Sequence, residues 1–76
     1  MREQLINASI KHFEAHIEKH RINTETLFKS AVGVAEHPDV METIEKELEK
    51  IADYHDKLEV LKTYFIKENE KEVLNG

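Results

Sequence analysis

Residues 6–27 read INASIKHFEAHIEKHRINTETL. Within them Ile6, Ile10, Phe13, Ile17, His20, Thr24 and Leu27 fall at alternating steps of four and three, the period at which one side of an α-helix meets a packing partner. The seam predicts a helix from about residue 3 to about residue 30. Its soft point is Ile22-Asn23-Thr24-Glu25-Thr26, where β-branched residues and Asn lower helix propensity and Asn23 offers an N-cap to a separate short helix. The seam crosses this stretch in phase, which favours one continuous helix.

Outward from that helix, Ser30-Ala31-Val32-Gly33-Val34-Ala35-Glu36-His37-Pro38-Asp39 holds the only internal Gly and the only Pro. A turn is expected at residues 31–37, with Val32 and Val34 packed beneath it. Pro38 suits the first position of a second helix, where its missing N–H costs nothing, and Asp39, Glu42 and Glu45 then sit near the positive end of the helix dipole. His37 would occupy the N-cap. The second helix is expected to run from residue 38 to about residue 70, with Met41, Ile44, Leu48, Ile51, His55, Leu58, Leu61 and Phe65 as its seam and a frayed tail at 71–76.

Two helices joined by a turn make an all-α antiparallel helical hairpin and a single domain. A chain of 76 residues buries only about 60% of its unfolded surface, which leaves little excess stability. Each helix of a hairpin covers one seam, and Leu5, Ile22, Phe28, Tyr54, Val60, Tyr64 and Ile66 remain beside or opposite those seams. So many apolar residues without a place predict a further interface. A homodimer of hairpins closing a four-helix bundle is the simplest solution. The competing arrangement is a monomer with a third short helix around residues 24–35.

Composition narrows the function classes. The net charge is −5, divided unevenly: residues 1–30 carry five Lys/Arg against four Asp/Glu, and residues 31–76 carry six against twelve. An acidic C-terminal half without a basic, aromatic-interleaved stripe repels phosphate backbones, so no nucleic-acid partner is expected. Membrane-surface binding fails similarly, because Glu rather than Lys or Arg borders the apolar face of the second helix. There is no apolar run of the roughly 18 residues that a membrane span needs, and MREQLINASIKHFEAH lacks the apolar core of a secretory signal. The expectation is a soluble, cytoplasmic protein. Cysteine is absent, which removes disulfides and thiolate metal sites and leaves the redox compartment open.

One constellation suggests chemistry. His12, His16 and His20 recur at intervals of four along the first helix. An antiparallel fold that sets Leu27 against Met41, Ile17 against Ile51 and Phe13 against His55 brings His12 and His16 near His55. Glu59 lies one turn beyond His55, so His12, His16, His55 and Glu59 form a candidate ligand set for zinc or iron. Ferritin-like and hemerythrin-like bundles hold metals in related surroundings, but the Glu-x-x-His spacing of the ferritin-like sites occurs nowhere in this chain. The competing reading leaves His12 exposed and His16 beside the core, with His20 and His55 in the seams bonded to neighbouring carboxylates. Seam histidines would also make an interface sensitive to pH between 5 and 7. Nucleophilic catalysis has no support: there is no Cys, Ser9 and Ser30 lack a strained nucleophile turn, and Gly33 alone makes no phosphate loop. The carboxylate pairs Glu45/Glu49 and Glu68/Glu72 read as solvated helix surface.

The segments Val32-Gly33-Val34-Ala35-Glu36-His37-Pro38-Asp39, Ile44-Glu45-Lys46-Glu47-Leu48 and Ile51-Ala52-Asp53-Tyr54-His55-Asp56-Lys57-Leu58-Glu59 resemble a small uncharacterised protein family of tailed phages infecting marine cyanobacteria. The resemblance runs from about Leu5 to Phe65. It implies a phage-encoded protein in the host cytoplasm with a small adaptor role, and no activity.

The sequence thus predicts a non-enzymatic, self-associating hairpin without a cofactor that acts by binding an unidentified protein partner. Phe28, Tyr54, Tyr64 and Ile66 are the expected interface anchors. The alternative is a metal-binding bundle built on His12, His16, His55 and Glu59.

Overall fold

The computed structural model of the chain describes residues 1–30 and 39–66. Two helices make up this part of the all-α hairpin: α1, Arg2–Ser30, and α2, Val40–Phe65, packed against each other. α1 passes through Ile22–Thr26 without a break. The threonines there turn inward on their own helix. Thr24 donates from Oγ1 to the His20 carbonyl at 2.7 Å and Thr26 to the Ile22 carbonyl at 2.9 Å. Thr24 is buried, and the back-bond satisfies its hydroxyl inside an apolar seam. The expected turn at 31–37, with Val32, Val34, His37 and Pro38, and the expected tail at 71–76 lie outside the described residues.

α2 begins after Asp39, which holds the N-cap position in place of the expected His37. Its carbonyl accepts both the Thr43 backbone N–H and the Thr43 hydroxyl, each at 3.0 Å. The helix ends at Phe65, earlier than the expected residue 70. Ile66 leaves the helical region at φ −111°, ψ 121°, and is buried. At the open end of the hairpin the Arg2 guanidinium donates to the Phe65 carbonyl at 2.6 Å. A cation there satisfies one of the carbonyls orphaned at a helix C-terminus and matches its dipole.

The seam of α1 is the expected one, with Ile6, Ile10, Phe13, Ile17, His20, Thr24 and Leu27 all half-buried or buried. In α2 the covered line is Val40, Ile44, Glu47, Ile51, Tyr54, Leu58 and Leu61. Ile44, Ile51, Leu58 and Leu61 hold their expected places. Met41, Leu48, His55 and Phe65 do not: all four are exposed. Both lines share Ile44, Ile51, Leu58 and Leu61 and differ in the flank on which they continue. Hydrophobicity favours the flank with Leu48, but His20 projects from α1 at that level and takes Glu47 as its partner, which rotates α2 toward Glu47 and Tyr54.

Among the described residues only Ile44, Ile66, His20 and Thr24 are buried, and no side chain is fully enclosed. Nine large apolar side chains of the described residues stand at least 41% exposed, led by Met1, Tyr64 and Met41. No helix of the described residues is long and apolar enough to cross a membrane.

Stability follows the observed seam. Ile44→Ala removes one of the two buried aliphatic side chains and is expected to cost about 2 kcal/mol or more. His55→Ala, at an exposed site, should stay within about 0.5 kcal/mol of the parent. Urea unfolding followed by circular dichroism measures both; comparable losses would place His55 in the seam.

Candidate functional site

The polar residues of the two seams meet at mid-helix. Glu47 Oε2 pairs with Nδ1 of His20, which is buried, and Glu47 Oε1 accepts from Asn23 Nδ2 at 3.1 Å. The hydrogen bond from His20, with further help from Asn23 and the neighbouring positive charge, holds the Glu47 carboxyl below the usual carboxylate range against the opposing effect of burial. An ionised carboxylate only accepts, so His20 carries its proton on Nδ1 in this pair. Asn23 therefore has a definite role on the inner side of α1: its amide occupies the second oxygen of Glu47.

One turn toward the open end, aromatic rings continue the contact. His16 stacks on Tyr54 with ring centroids 4.5 Å apart and planes 17° from parallel. His12 meets His16 edge-on at 4.4 Å, and Phe13 lies 6.2 Å from Tyr54. Lys57 Nζ sits 5.0 Å from the centroid of the Tyr54 ring and donates to Asp53 at 2.8 Å. The Asp53 hydrogen bond raises the Lys57 pKa. His16 Nδ1 is buried without a hydrogen-bond partner. Burial of the ring lowers the His16 pKa from 6.5, and the charges of His12, Lys19 and His20 lower it further. The ring is thus held neutral and packs as an aromatic.

The expected metal ligands are divided by this arrangement. His12 and His16 are neighbours, but Tyr54 occupies the place opposite them that His55 was expected to fill, and His55 and Glu59 are exposed. Among the described residues no group of three or more His, Asp or Glu is disposed to hold a metal ion. The expected interface anchors divide too. Phe28 and Tyr64 are exposed at 53% and 74%. Tyr54 is half-buried in the seam and Ile66 is buried, so both are engaged within the hairpin.

Chemically the centre is a closed polar network. Both oxygens of Glu47 have donors and its proton affinity is lowered, the opposite of what a general base near neutral pH needs. Two surface hollows of the described residues lie along the outside of single helices, one lined by Glu18, Arg21, Ile22, Glu25, Thr26 and Lys29, the other by Lys46, Glu49, Lys50, Asp53 and Tyr54. Comparison with protein-family models, with curated proteins and with solved structures finds no match to this chain.

Glu47 and Tyr54 are the site residues that hydrophobic patterning passes over. Their signal was spacing: Glu47 lies three after Ile44 and four before Ile51, and Tyr54 three after Ile51 and four before Leu58, so both continue the helical stripe.

Acidification should destabilise the hairpin in two stages. Unfolded His16 takes up a proton as pH falls through 6.5, while the folded ring resists it, so stability declines from there downward. Glu47 contributes stability that is complete above its ordinary value of 4.5 and is lost as pH falls toward its lower folded value. In urea midpoints measured from pH 8 to pH 3, His16→Gln should flatten the upper stage and Glu47→Gln the lower. Unchanged profiles in both variants would contradict the assignment.

Proposed function

We propose that this protein is a non-enzymatic helical interaction module whose hairpins self-associate and present their remaining apolar surface to another protein. The observation behind this reading is the imbalance of the hairpin: no fully enclosed side chain and nine large apolar side chains exposed among the described residues. Scattered exposed apolar residues are ordinary. Here they outnumber the buried ones, as expected of half a core awaiting its other half.

The network at Glu47 supports the same reading. Both carboxylate oxygens of Glu47 are paired with groups of α1. Such a pair fixes which surfaces of two helices meet, and this is the best-attested use of a polar residue in a helical seam. Phe28 and Tyr64, the two expected anchors that remain on the surface, are exposed aromatic residues, a type enriched at protein interfaces.

Thermal unfolding at two concentrations tests the proposal. Between about 5 and 500 μM a folded dimer should gain on the order of 10 °C in melting temperature. A melting temperature independent of concentration, with a cooperative transition at both, would overturn self-association.

A further inference from the structure

The uncovered apolar side chains differ by side of the hairpin. On each helix, residues directly after Leu27, Val40 or Glu47 lie on one flank of the seam, and residues directly before Ile17, Thr24 or Leu58 lie on the other. In an antiparallel pair, like flanks of the two helices face the same way. The contacts agree: His16 and Asn23 from α1 and Lys57 from α2 gather on one side, around Tyr54 and Glu47. The opposite side carries Phe28, Met41 and Leu48, exposed at 53%, 65% and 48%. All three lie in the half of the hairpin where α1 ends and α2 begins.

Resting on the self-association proposed above, we infer that a second copy of this chain covers the Phe28/Met41/Leu48 side, with α1 of each copy against α2 of the other and the Ser30/Val40 ends together. Twofold symmetry lays this side on itself in two ways. With the axis along the bundle, α1 packs on the partner copy's α2 and residues keep their level. With the axis across the bundle, each helix packs on its own copy running in reverse.

Two observations select the first. α1 holds five Lys/Arg against four Asp/Glu, whereas α2 holds four against seven. The crossed arrangement would set two acidic helices side by side; the aligned one sets each acidic helix on a slightly basic one. Apolar content gives the same answer. Aligned copies bring Phe28, Met41 and Leu48 of both chains together at one end, and the crossed arrangement would lay them over the flank at the other end, where Asn7, Glu14, His55 and Lys62 stand. Leu5, Val60 and Tyr64 fall on the histidine side near the open end and stay outside this interface.

The test combines sedimentation with a distance measurement on the full chain. Leu48→Glu places a charge at a site already solvated in the single hairpin. It is expected to weaken dimerisation at least 100-fold, whereas Tyr64→Glu leaves the dimer unchanged. If Leu48→Glu loses its helical signal, Met41→Glu serves in its place. Independently, spin labels at Lys29→Cys should lie less than about 30 Å apart between copies in the aligned dimer, against about 40 Å or more when the ends point apart. A monomeric parent would sink the self-association reading itself. A dimer that survives both Leu48→Glu and Met41→Glu, or that shows the long distance, leaves self-association standing and overturns the arrangement inferred here.

Discussion

Two helices touch along one line, and that geometric limit governs everything else in this molecule. Each helix can cover a single stripe, so a seam residue is shielded on one side and open on the other. The outcome is visible in the burial of the described residues: the core reduces to Ile44 and Ile66, joined by the polar His20 and Thr24. Burying one aliphatic side chain stabilises by about 1.5–3 kcal/mol, and ordering each residue costs about 1–2 kcal/mol. So few enclosed side chains among the described residues are the physical basis of the self-association proposed above.

Within the single line of contact, the His20–Glu47 pair is decisive. Hydrophobicity alone would lay Leu48 against α1. Burying His20 opposite an aliphatic side chain would leave its ring N–H without an acceptor, a cost of about 1–3 kcal/mol. Glu47 removes that cost and Asn23 completes the carboxylate. The choice propagates along α2: with Glu47 inside, Tyr54 comes inside seven residues later and stacks on His16, and Leu48 and His55 turn outward. One polar contact thus sets the rotation of a helix, and it creates two unlike sides, one of histidines, Tyr54 and Lys57, the other of Phe28, Met41 and Leu48.

The helical periodicity of α1 was fully legible, because its seam residues Ile6 to Leu27 leave no competing stripe. α2 was legible in part. Ile44, Ile51 and Leu58 belong to two possible lines, and choosing between them requires knowing what faces residue 47. That information resides in His20, twenty-seven positions away, and hydropathy along α2 does not contain it. Of the histidines expected to bond carboxylates in the seams, His20 does so and His55 is exposed. The candidate metal quartet requires His55 to face inward, and in this structure His55 and Glu59 are exposed. Tyr54 moved from presumed surface anchor to seam with the rotation of α2, and Ile66 is buried where the chain leaves the helix.

On the reading proposed above, a single hairpin leaves its core half covered. Sedimentation equilibrium on the untagged chain, at neutral pH and tens of micromolar, tests it most directly. A species of twice the 8.9 kDa chain mass, dissociating on dilution, is the expected result. A fully helical species of 8.9 kDa that persists at the highest attainable concentration would contradict it.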